Sequence, residues 1–315
     1  ANTRGLQVGS SMDESTVTLS GDLVATASVT AEDVDGYVYV NARGFQVDSD
    51  AYNSAVFNNG SVTVSAEANV TEELGDVMHV QARGIQLSED AENVVLENNG
   101  DVTVTAAAIG TEADENGYTA VATARGISVG QDSINLDLDN NADITVSATA
   151  TNSDNGVDDE NYTEIRVTGI HVGSGAEDLS LDNNGSISVT ATATGADYLA
   201  YYRDSDSYNN MGATGIKVGS TEGTVNTITN GGTIDVEATL EADEIYSSSG
   251  AVGIRVGDAP MEAGVYNAVV VNDGSISATA AIDTDFTNPV EIDEDVFDGV
   301  NYNRGAFGIR TGTAQ

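Results

Sequence analysis

The chain of 315 residues has no cysteine, no tryptophan, two prolines and two histidines, and only 10 basic residues against 51 acidic ones. The lack of cysteine excludes a disulfide framework, a thiolate metal site and a cysteine nucleophile. The formal net charge of -41 leaves no basic footprint for nucleic acid or for an anionic membrane surface. The sequence also lacks any long apolar run, so we expect no membrane insertion of this chain.

A repeat of about 40 residues runs through the chain, and one glycine marks its phase. This marker glycine stands in the short sequences RGLQV, RGFQV, RGIQL, RGISV, TGIHV, TGIKV, VGIRV and FGIRT. The marker glycines are Gly5, Gly44, Gly84, Gly126, Gly169, Gly215, Gly253 and Gly308. A second marker, NNG or a close variant, follows most of them at a nearly constant distance. Such a repeat is typical of proteins built from stacked, equivalent units.

Apolar and polar residues alternate after the second marker, as in the segment from Val102 to Ala108. A period of two indicates a strand with one buried face. A second alternating segment surrounds the marker glycine, where its parity switches. We attribute this switch to a bend that glycine permits through a positive φ, and we give the Asn-Asn-Gly corner the same role.

These patterns predict an all-β fold, a single parallel β-solenoid domain spanning residues 1–315 with acidic side loops. We expect seven to eight laps of about 40 residues, which stack about 4.8 Å apart into a rod roughly 35 Å long. The first asparagine of each corner is expected to form a ladder of amide hydrogen bonds along the rod. These asparagines are Asn58, Asn98, Asn140, Asn183, Asn230 and Asn272.

Most basic residues recur beside the marker glycine and are expected to line one strip. They are Arg4, Arg43, Arg83 and Arg125 before the glycine, and Lys217, Arg255 and Arg310 after it. One interpretation is a docking strip for an acidic partner, such as another copy of this protein. The other is neutralisation by acidic residues of the following turn, such as Glu89, Asp90 and Glu92. Because stacked like charges repel, some counter-charge is expected in either case.

The segments between each alanine-rich strand and the next marker glycine are acidic. Their clustered carboxylates could ligate calcium, the one cofactor that we consider, although no segment has a recognised calcium-loop spacing. The alternative is a plain solvated surface. The candidate calcium ligands are Asp33, Asp35, Asp154, Asp158, Asp159, Asp293, Asp295 and Asp298.

The same segments contain most of the tyrosines. These rings could stack on sugars or on a partner surface, or they could cap the edge of the core. The candidate ligand-binding tyrosines are Tyr198, Tyr201, Tyr202, Tyr208 and Tyr302, with Tyr37 and Tyr39 in a related position.

No catalytic motif is recognisable, and the two histidines, His79 and His171, fall at different positions of different repeats. An active site normally interrupts a repeat locally, whereas these repeats look interchangeable. We therefore expect that the chain is not an enzyme. A polysaccharide-active β-helix enzyme is the least favoured class.

The pattern A-x-G-I-x-V-G followed by N-N-G-x-I-x-V-x-A-x-A, from Arg4 to Thr313, resembles the repeats of autotransporter passenger domains and related bacterial surface β-helix proteins. The resemblance implies a right-handed β-helix that is exported to the exterior or the surface of a bacterial cell. It also implies a role in adhesion, aggregation or surface structure.

The sequence opens and stops in phase with the repeat, and no polar cap is evident at either end. We therefore expect head-to-tail contacts between copies, which propagate into filaments; the competing explanation is a segment of a longer passenger. The residues at these assembly ends are Arg4, Leu6, Val8, Ile309, Arg310 and Thr311. The predicted function is thus that of a subunit of an extracellular filament or surface stalk. The alternative is an adhesin segment that binds a host, cell-surface, matrix or glycan ligand through its tyrosine-rich acidic loops.

Overall fold

A computed structural model describes most of the chain, and all structural statements below concern the residues that it describes. These are residues 1–9, 12–32, 34, 36–47, 51–74, 77–87, 89–113, 119–152, 162–195, 198–199, 211–221, 225–241, 244–245, 249–257, 268–283 and 305–311. Within these ranges the chain folds into three β-sheets in which every strand pairing is parallel. The all-β parallel solenoid predicted from the repeat is confirmed. No helix capable of crossing a membrane occurs in this part of the chain.

Each lap of the solenoid passes through the three sheets in the same order, and each sheet is named here after its characteristic residue. The glycine sheet contains the marker glycines and consists of strands Asn2–Val8, Val38–Val47, Val77–Leu87, Thr119–Val129, Tyr162–Val172, Met211–Val218, Ser249–Val256 and Gly305–Thr311, with the short strands Tyr198–Leu199 and Glu244–Ile245. The asparagine sheet consists of strands Met12–Asp13, Thr16–Leu19, Ala51–Tyr52, Ala55–Asn58, Glu92–Asn98, Ile134–Asn140, Ser180–Asn183, Asn226–Asn230 and Ala268–Asn272. The alanine sheet consists of strands Leu23–Ala31, Val62–Leu74, Val102–Ala113, Ile144–Asn152, Ser186–Thr194, Thr233–Glu241 and Ser275–Asp283.

The register of the sheets places equivalent residues of successive laps next to each other. In the alanine sheet, Val102 pairs with Ile144, which pairs with Ile187. Because the side-chain period of a strand is two, this register puts all apolar positions on one face. The core therefore lies between the three sheets, where Ile85, Leu96 and other inward side chains are fully buried. Full burial of such a side chain stabilises the fold by about 1.5–3 kcal/mol, which a single unstacked lap could not obtain.

The prediction that the marker glycines bend the chain through a positive φ is wrong, because none of them has one. Glycine is required there by a close approach. A Cβ atom on Gly84 would lie 2.5 Å from the carbonyl oxygen of Gly126 and 2.7 Å from Cγ1 of Val102. The alanine sheet thus packs directly on the backbone of the glycine sheet, and two consecutive inward positions, Gly84 and Ile85, produce the switch of parity.

The Asn-Asn-Gly corners also contain no residue with a positive φ, so the same expectation is wrong there. A Cβ atom on Gly100 would collide with the carbonyl oxygen of Gly60 in the preceding lap. Five of the seven described non-glycine residues with a positive φ instead lie in or just before the asparagine sheet, nine residues after the marker glycines Gly5, Gly44, Gly84, Gly126 and Gly169. These residues are Glu14, Asn53, Asn93, Asn135 and Asp178.

Candidate functional site

The first asparagines of the corners form the ladder that the sequence predicts. Each side-chain Nδ2 donates a hydrogen bond of 2.7 Å to Oδ1 of the next lap, from Asn58 through to Asn272. The members in the interior of the stack are fully buried. The ladder begins at Asn58, whose Oδ1 has no partner because Leu19 occupies the equivalent position in the first lap. This column is a structural element that stabilises the corner.

Two further ladders lie on the surface and run in the opposite direction, since each Nδ2 donates to the preceding lap. One connects Asn135 to Asn93 and Asn93 to Asn53, at 2.7 and 3.1 Å. The other connects Asn184, Asn141, Asn99 and Asn59, at 3.0–3.1 Å. The sequence analysis did not identify these ladders, although the second asparagine of each corner was a signal for the latter.

The basic residues of the described ranges all lie on the outer face of the glycine sheet. Arg4, Arg43, Arg83 and Arg125 pair in register in one column, and Lys217, Arg255 and Arg310 pair in a second. Together with Arg166 they form what is called the basic strip below. Arg203 and Arg304 lie outside the described residues. The clustering that the repeat predicts is therefore present, and it extends along the full set of laps.

The outer face of the glycine sheet differs from that of the alanine sheet in its burial. On the alanine sheet, outward residues such as Thr103, Thr105 and Glu237 are exposed. On the glycine sheet, outward Ser128 and Arg255 retain only 5% and 4% of their accessible surface. The cations in the interior of the basic strip are therefore at least partly shielded from bulk water, which weakens the screening of their mutual repulsion, whereas Arg4 in the first lap is exposed.

The first arginines of the strip bond to neutral amides of their own lap. Arg43 Nε donates to Asn41 Oδ1 at 3.3 Å, and its Nη1 donates to Gln46 Oε1 at 3.1 Å. Arg83 makes the equivalent bonds to Gln81 and Gln86 at 3.4 and 3.3 Å. These bonds orient the guanidinium groups but do not neutralise them. Burial and the neighbouring Arg43 accordingly lower the pKa of Arg83.

The hydrogen bonding of the arginine column changes at Arg125. Its lap has Thr123 and Ser128 at the positions of the two amides, and Arg125 makes no hydrogen bond to another described residue. Burial, together with the charges of Arg83 and Arg166, lowers the pKa of Arg125 to about 10. The side chain nevertheless remains protonated at neutral pH, so the fourth lap holds a poorly compensated positive charge.

The carboxylate of Glu164 lies on this face. Glu164 forms an ion pair with Arg166, two residues away on the same strand. Burial raises the pKa of Glu164, while the charge of Arg166 acts in the opposite direction. Glu89, Asp90 and Glu92, the examples given for neutralisation of the strip, form no ion pair with a described basic residue.

His171 belongs to the column of Lys217 and is largely buried. Its Nδ1 atom is buried and has no hydrogen-bond partner. Burial, and then the charges of Arg125, Lys217 and Arg83, hold the pKa of His171 well below its ordinary value of 6.5. The ring is therefore neutral at pH 7 and has an unused polar atom within a group of cations.

A small aromatic cluster lies at the other edge of this face. The ring of Tyr37 stacks on Tyr39 with centroids 6.0 Å apart, and Tyr39 lies 5.9 Å from His79. Both tyrosines are exposed, at 62% and 56% of their surface. His79 Nε2 lies 3.0 Å from Gln81 Nε2, and burial followed by the charges of Arg166 and Arg83 lowers the pKa of His79.

Most of the predicted loop residues belong to segments outside the described part of the chain. The candidate calcium ligands Asp33, Asp35, Asp154, Asp158, Asp159, Asp293, Asp295 and Asp298 lie outside the described residues. So do Tyr201, Tyr202, Tyr208 and Tyr302, whereas the backbone of Tyr198 lies in the short strand Tyr198–Leu199. Within the described ranges, no group of three or more acidic or histidine side chains is arranged to hold a metal ion.

Acidic residues cluster instead on the outer face of the asparagine sheet. Glu97, Asp139 and Asp182 are neighbours in one column, and Asp137 lies beside them. Partial burial, and then repulsion from Asp137, Asp182 and Glu97, raise the pKa of Asp139. The described basic residues thus lie on the glycine sheet, whereas this acidic cluster lies on the asparagine sheet.

The predicted assembly ends lie on the outermost strands of the glycine sheet. Leu6 and Ile309 occupy inward positions but remain 37% and 46% exposed, because no further described strand covers them. The guanidinium carbon of Arg310 lies 5.5 Å from the centroid of the Phe307 ring, a cation–π distance. Val8 and Thr311 end these two strands at equivalent positions.

Comparison of the chain with protein-family models, with curated proteins and with solved structures gives no match. The functional interpretation therefore depends on the fold and on the residues described above.

Proposed function

We propose that the protein is a structural, extracellular subunit whose solenoid continues from copy to copy as a filament or surface stalk. The observation that carries this proposal is the pair of outer strands, Asn2–Val8 and Gly305–Thr311, each of which has one edge without a described partner. Unpaired strand edges are templates for another chain. Leu6 and Ile309 supply apolar side chains at these edges that a stacked copy would cover.

The number of strands restricts how two copies meet. The glycine sheet has eight strands along its path, whereas the alanine sheet has seven. If strand Leu23–Ala31 of one copy stacks on Ser275–Asp283 of another, strand Asn2–Val8 arrives at the level already occupied by Gly305–Thr311. One of these two strands must leave. In our proposal the incoming strand replaces the resident one, because it offers Leu6 and Val8 to the core in place of Ile309 and Thr311.

Electron microscopy of the purified chain, with and without calcium, tests the proposal. Fibres with an axial repeat near the length of seven laps, roughly 35 Å, are expected. Fibres that form only with calcium would make the acidic loops part of the assembly mechanism. Single short rods under both conditions would contradict the proposal.

Substitutions at the ends test the strand replacement. Leu6→Asp places a charge where the incoming strand enters the core, so fibres should be lost. Ile309→Asp weakens only the strand that leaves, so fibres should persist or form faster. Val24→Asp is the matched control, because Val24 points outward near the same end and is 68% exposed. Loss of fibres in Ile309→Asp but not in Leu6→Asp would show that the resident strand stays.

The second candidate function is that of an adhesin segment, and the exposed Tyr37–Tyr39 pair favours it. Exposed aromatic rings are typical of sites that stack on sugars or on partner proteins. Glycan-array binding of the intact chain, compared with Tyr37→Ala and Tyr39→Ala, tests this alternative. Binding that both variants retain would remove the aromatic pair from consideration. The enzyme class has no supporting observation on the described residues.

A further inference from the structure

The first arginine column of the basic strip ends at the fourth lap. The column that contains Arg43, Arg83 and Arg125 continues with Thr168 and Thr214. The two threonines are short, and they retain 8% and 9% of their accessible surface. A column of long cations thus gives way to small hydroxyl side chains on the same buried face.

Cations surround the first of these threonines. Arg125 is the register neighbour of Thr168 in the preceding lap. On the strand of Thr168, Arg166 lies two residues before it and His171 three residues after it, about 7 and about 10 Å along the strand. Lys217 is the register neighbour of His171 in the following lap. Guanidinium and ammonium side chains are long enough to converge over a threonine from these positions.

Donor atoms of Arg83, Arg125 and His171 have no described acceptor. The amides that bond Arg43 and Arg83 are replaced by Thr123 and Ser128 beside Arg125, and these side chains are shorter. The buried Nε of Arg83 and the buried Nδ1 of His171 have no hydrogen-bond partner. An unmet buried polar group is costly, so such a group in a native fold calls for a ligand or another specific explanation.

We propose that Arg83, Arg125, Arg166, His171 and Lys217, arranged around Thr168, bind an oxyanion. The ligand class is a sulfate, phosphate or carboxylate group, because guanidinium groups present paired donors that match these planar or tetrahedral oxygen sets. The Thr168 hydroxyl and the Nδ1–H tautomer of His171 supply further donors. This site does not depend on the proposed filament, since none of its residues lies at the ends of the stack.

The charge of the site excludes the other common ligand classes. Its five side chains offer donors, the arginines and Lys217 add positive charge, and Glu164 is already paired with Arg166. A metal cation would be repelled and would find no free carboxylate among the described neighbours. An oxyanion instead relieves the repulsion between the stacked arginines and bonds to the unused donors.

Histidine NMR on the full chain is the test, because the protein contains only His79 and His171. Sodium sulfate is titrated against sodium chloride of equal ionic strength while the imidazole resonances are followed through pH. His171→Asn assigns the signals. A bound anion should raise the pKa of His171, since it offsets the charges of Arg125, Lys217 and Arg83 that now lower it.

Two matched substitutions show which arginine binds the sulfate. Arg125→Gln removes a central donor and should weaken sulfate binding about tenfold or more. Arg43→Gln removes an arginine of the same column two laps away and should change binding less than about twofold. Equal shifts in sulfate and chloride, or equal losses in both variants, would overturn the proposal.

The source of the oxyanion is resolved in the same experiment. A shift that appears with added sulfate and is independent of protein concentration identifies a free ion as the ligand. A sulfate-free shift that grows with protein concentration and vanishes in Arg125→Gln identifies carboxylates of a second copy. Absence of both would contradict the site.

Discussion

Two of the polar columns of this solenoid, the buried asparagine ladder and the arginine column, stack identical side chains in different ways. In the asparagine ladder each side chain donates to one neighbour and accepts from the other, so five successive contacts have the same length of 2.7 Å. In the arginine column each side chain has donors only and has the same charge as its neighbours. Arginines therefore cannot bond along the column.

This difference shows why the two columns depend on their surroundings to different degrees. The ladder is self-sufficient wherever the stack continues, and its unmet atom appears only at Asn58, where the column begins. The arginine column depends on acceptors from its own laps. Gln46 and Gln86 supply them beside Arg43 and Arg83, but no such residue stands beside Arg125.

The largest expected effect comes from breaking the self-sufficient column. Asn98→Ala leaves the buried Oδ1 of Asn140 without its donor from Asn98 and removes one of the two acceptors of Asn58, so the free energy of unfolding should fall by about 2–4 kcal/mol. Urea unfolding measures it. Asn99→Ala, in the exposed ladder, is the control and should cost less than about 0.5 kcal/mol. Similar losses in both would mean that burial of the ladder is unimportant.

The free energy of unfolding is expected to depend on pH through His171, which lies beside the arginine column. Because the folded-state pKa of His171 lies well below 6.5, the unfolded chain binds more protons, and stability falls as the pH drops from about 6.5 toward the folded pKa. The contribution is about 1.4 kcal/mol for each pH unit in that window. His171→Asn should remove this slope. If the free energy of unfolding changes with pH in the same way in the variant and the parent chain, His171 is not the source of this pH dependence.

Replacement of Arg125, whose charge has no described counter-ion, should stabilise the protein when no oxyanion is bound. Arg125→Met keeps much of the apolar stem and removes the buried charge, so unfolding should require about 1 kcal/mol more in buffer without oxyanions. Arg43→Met loses the bonds to Asn41 and Gln46 and should be neutral or destabilising. Destabilisation by Arg125→Met in thermal unfolding would imply that Arg125 is already compensated.

The smallest expected effect comes from placing a carboxylate beside Arg43, which now bonds only to neutral amides. Gln46→Glu would place a carboxylate beside Arg43 Nη1 and should stabilise the chain by less than about 1 kcal/mol at pH 7, because desolvation offsets most of the attraction. The gain should disappear as the pH falls through the pKa of the new carboxyl group. A gain that persists at pH 3 would exclude the ion pair as its cause.

Much of the fold could be predicted from the sequence because the same pattern recurs in every lap. The alternation after each corner identifies the strands, and the repeated first asparagine identifies the ladder, since identical amides in register can bond one another. The role of the marker glycine was mispredicted for a physical reason. Its requirement arises from contact with side chains such as Val102, which are distant in sequence, and not from its own backbone dihedrals.

The candidate site was only partly predictable. The recurrence of arginine before the marker glycine predicted the strip, but Arg166, Thr168 and His171 were missed because they break the repeat. Alternation shows that a residue points outward but not whether that outer face is buried. The burial of Ser128 and Arg255, and the lowered pKa that burial gives Arg125, required the three-dimensional structure.

The most direct test of this account is urea unfolding of the parent chain and of Arg125→Gln at increasing sulfate concentration and constant ionic strength. A ligand that binds only the folded chain raises its stability by about 2.7 kcal/mol at a concentration of 100 times its Kd. The account predicts that the parent chain gains stability with the logarithm of sulfate concentration, while Arg125→Gln gains much less. Equal gains in both chains would show that sulfate acts generally on the protein surface and that the arginine column needs no anion.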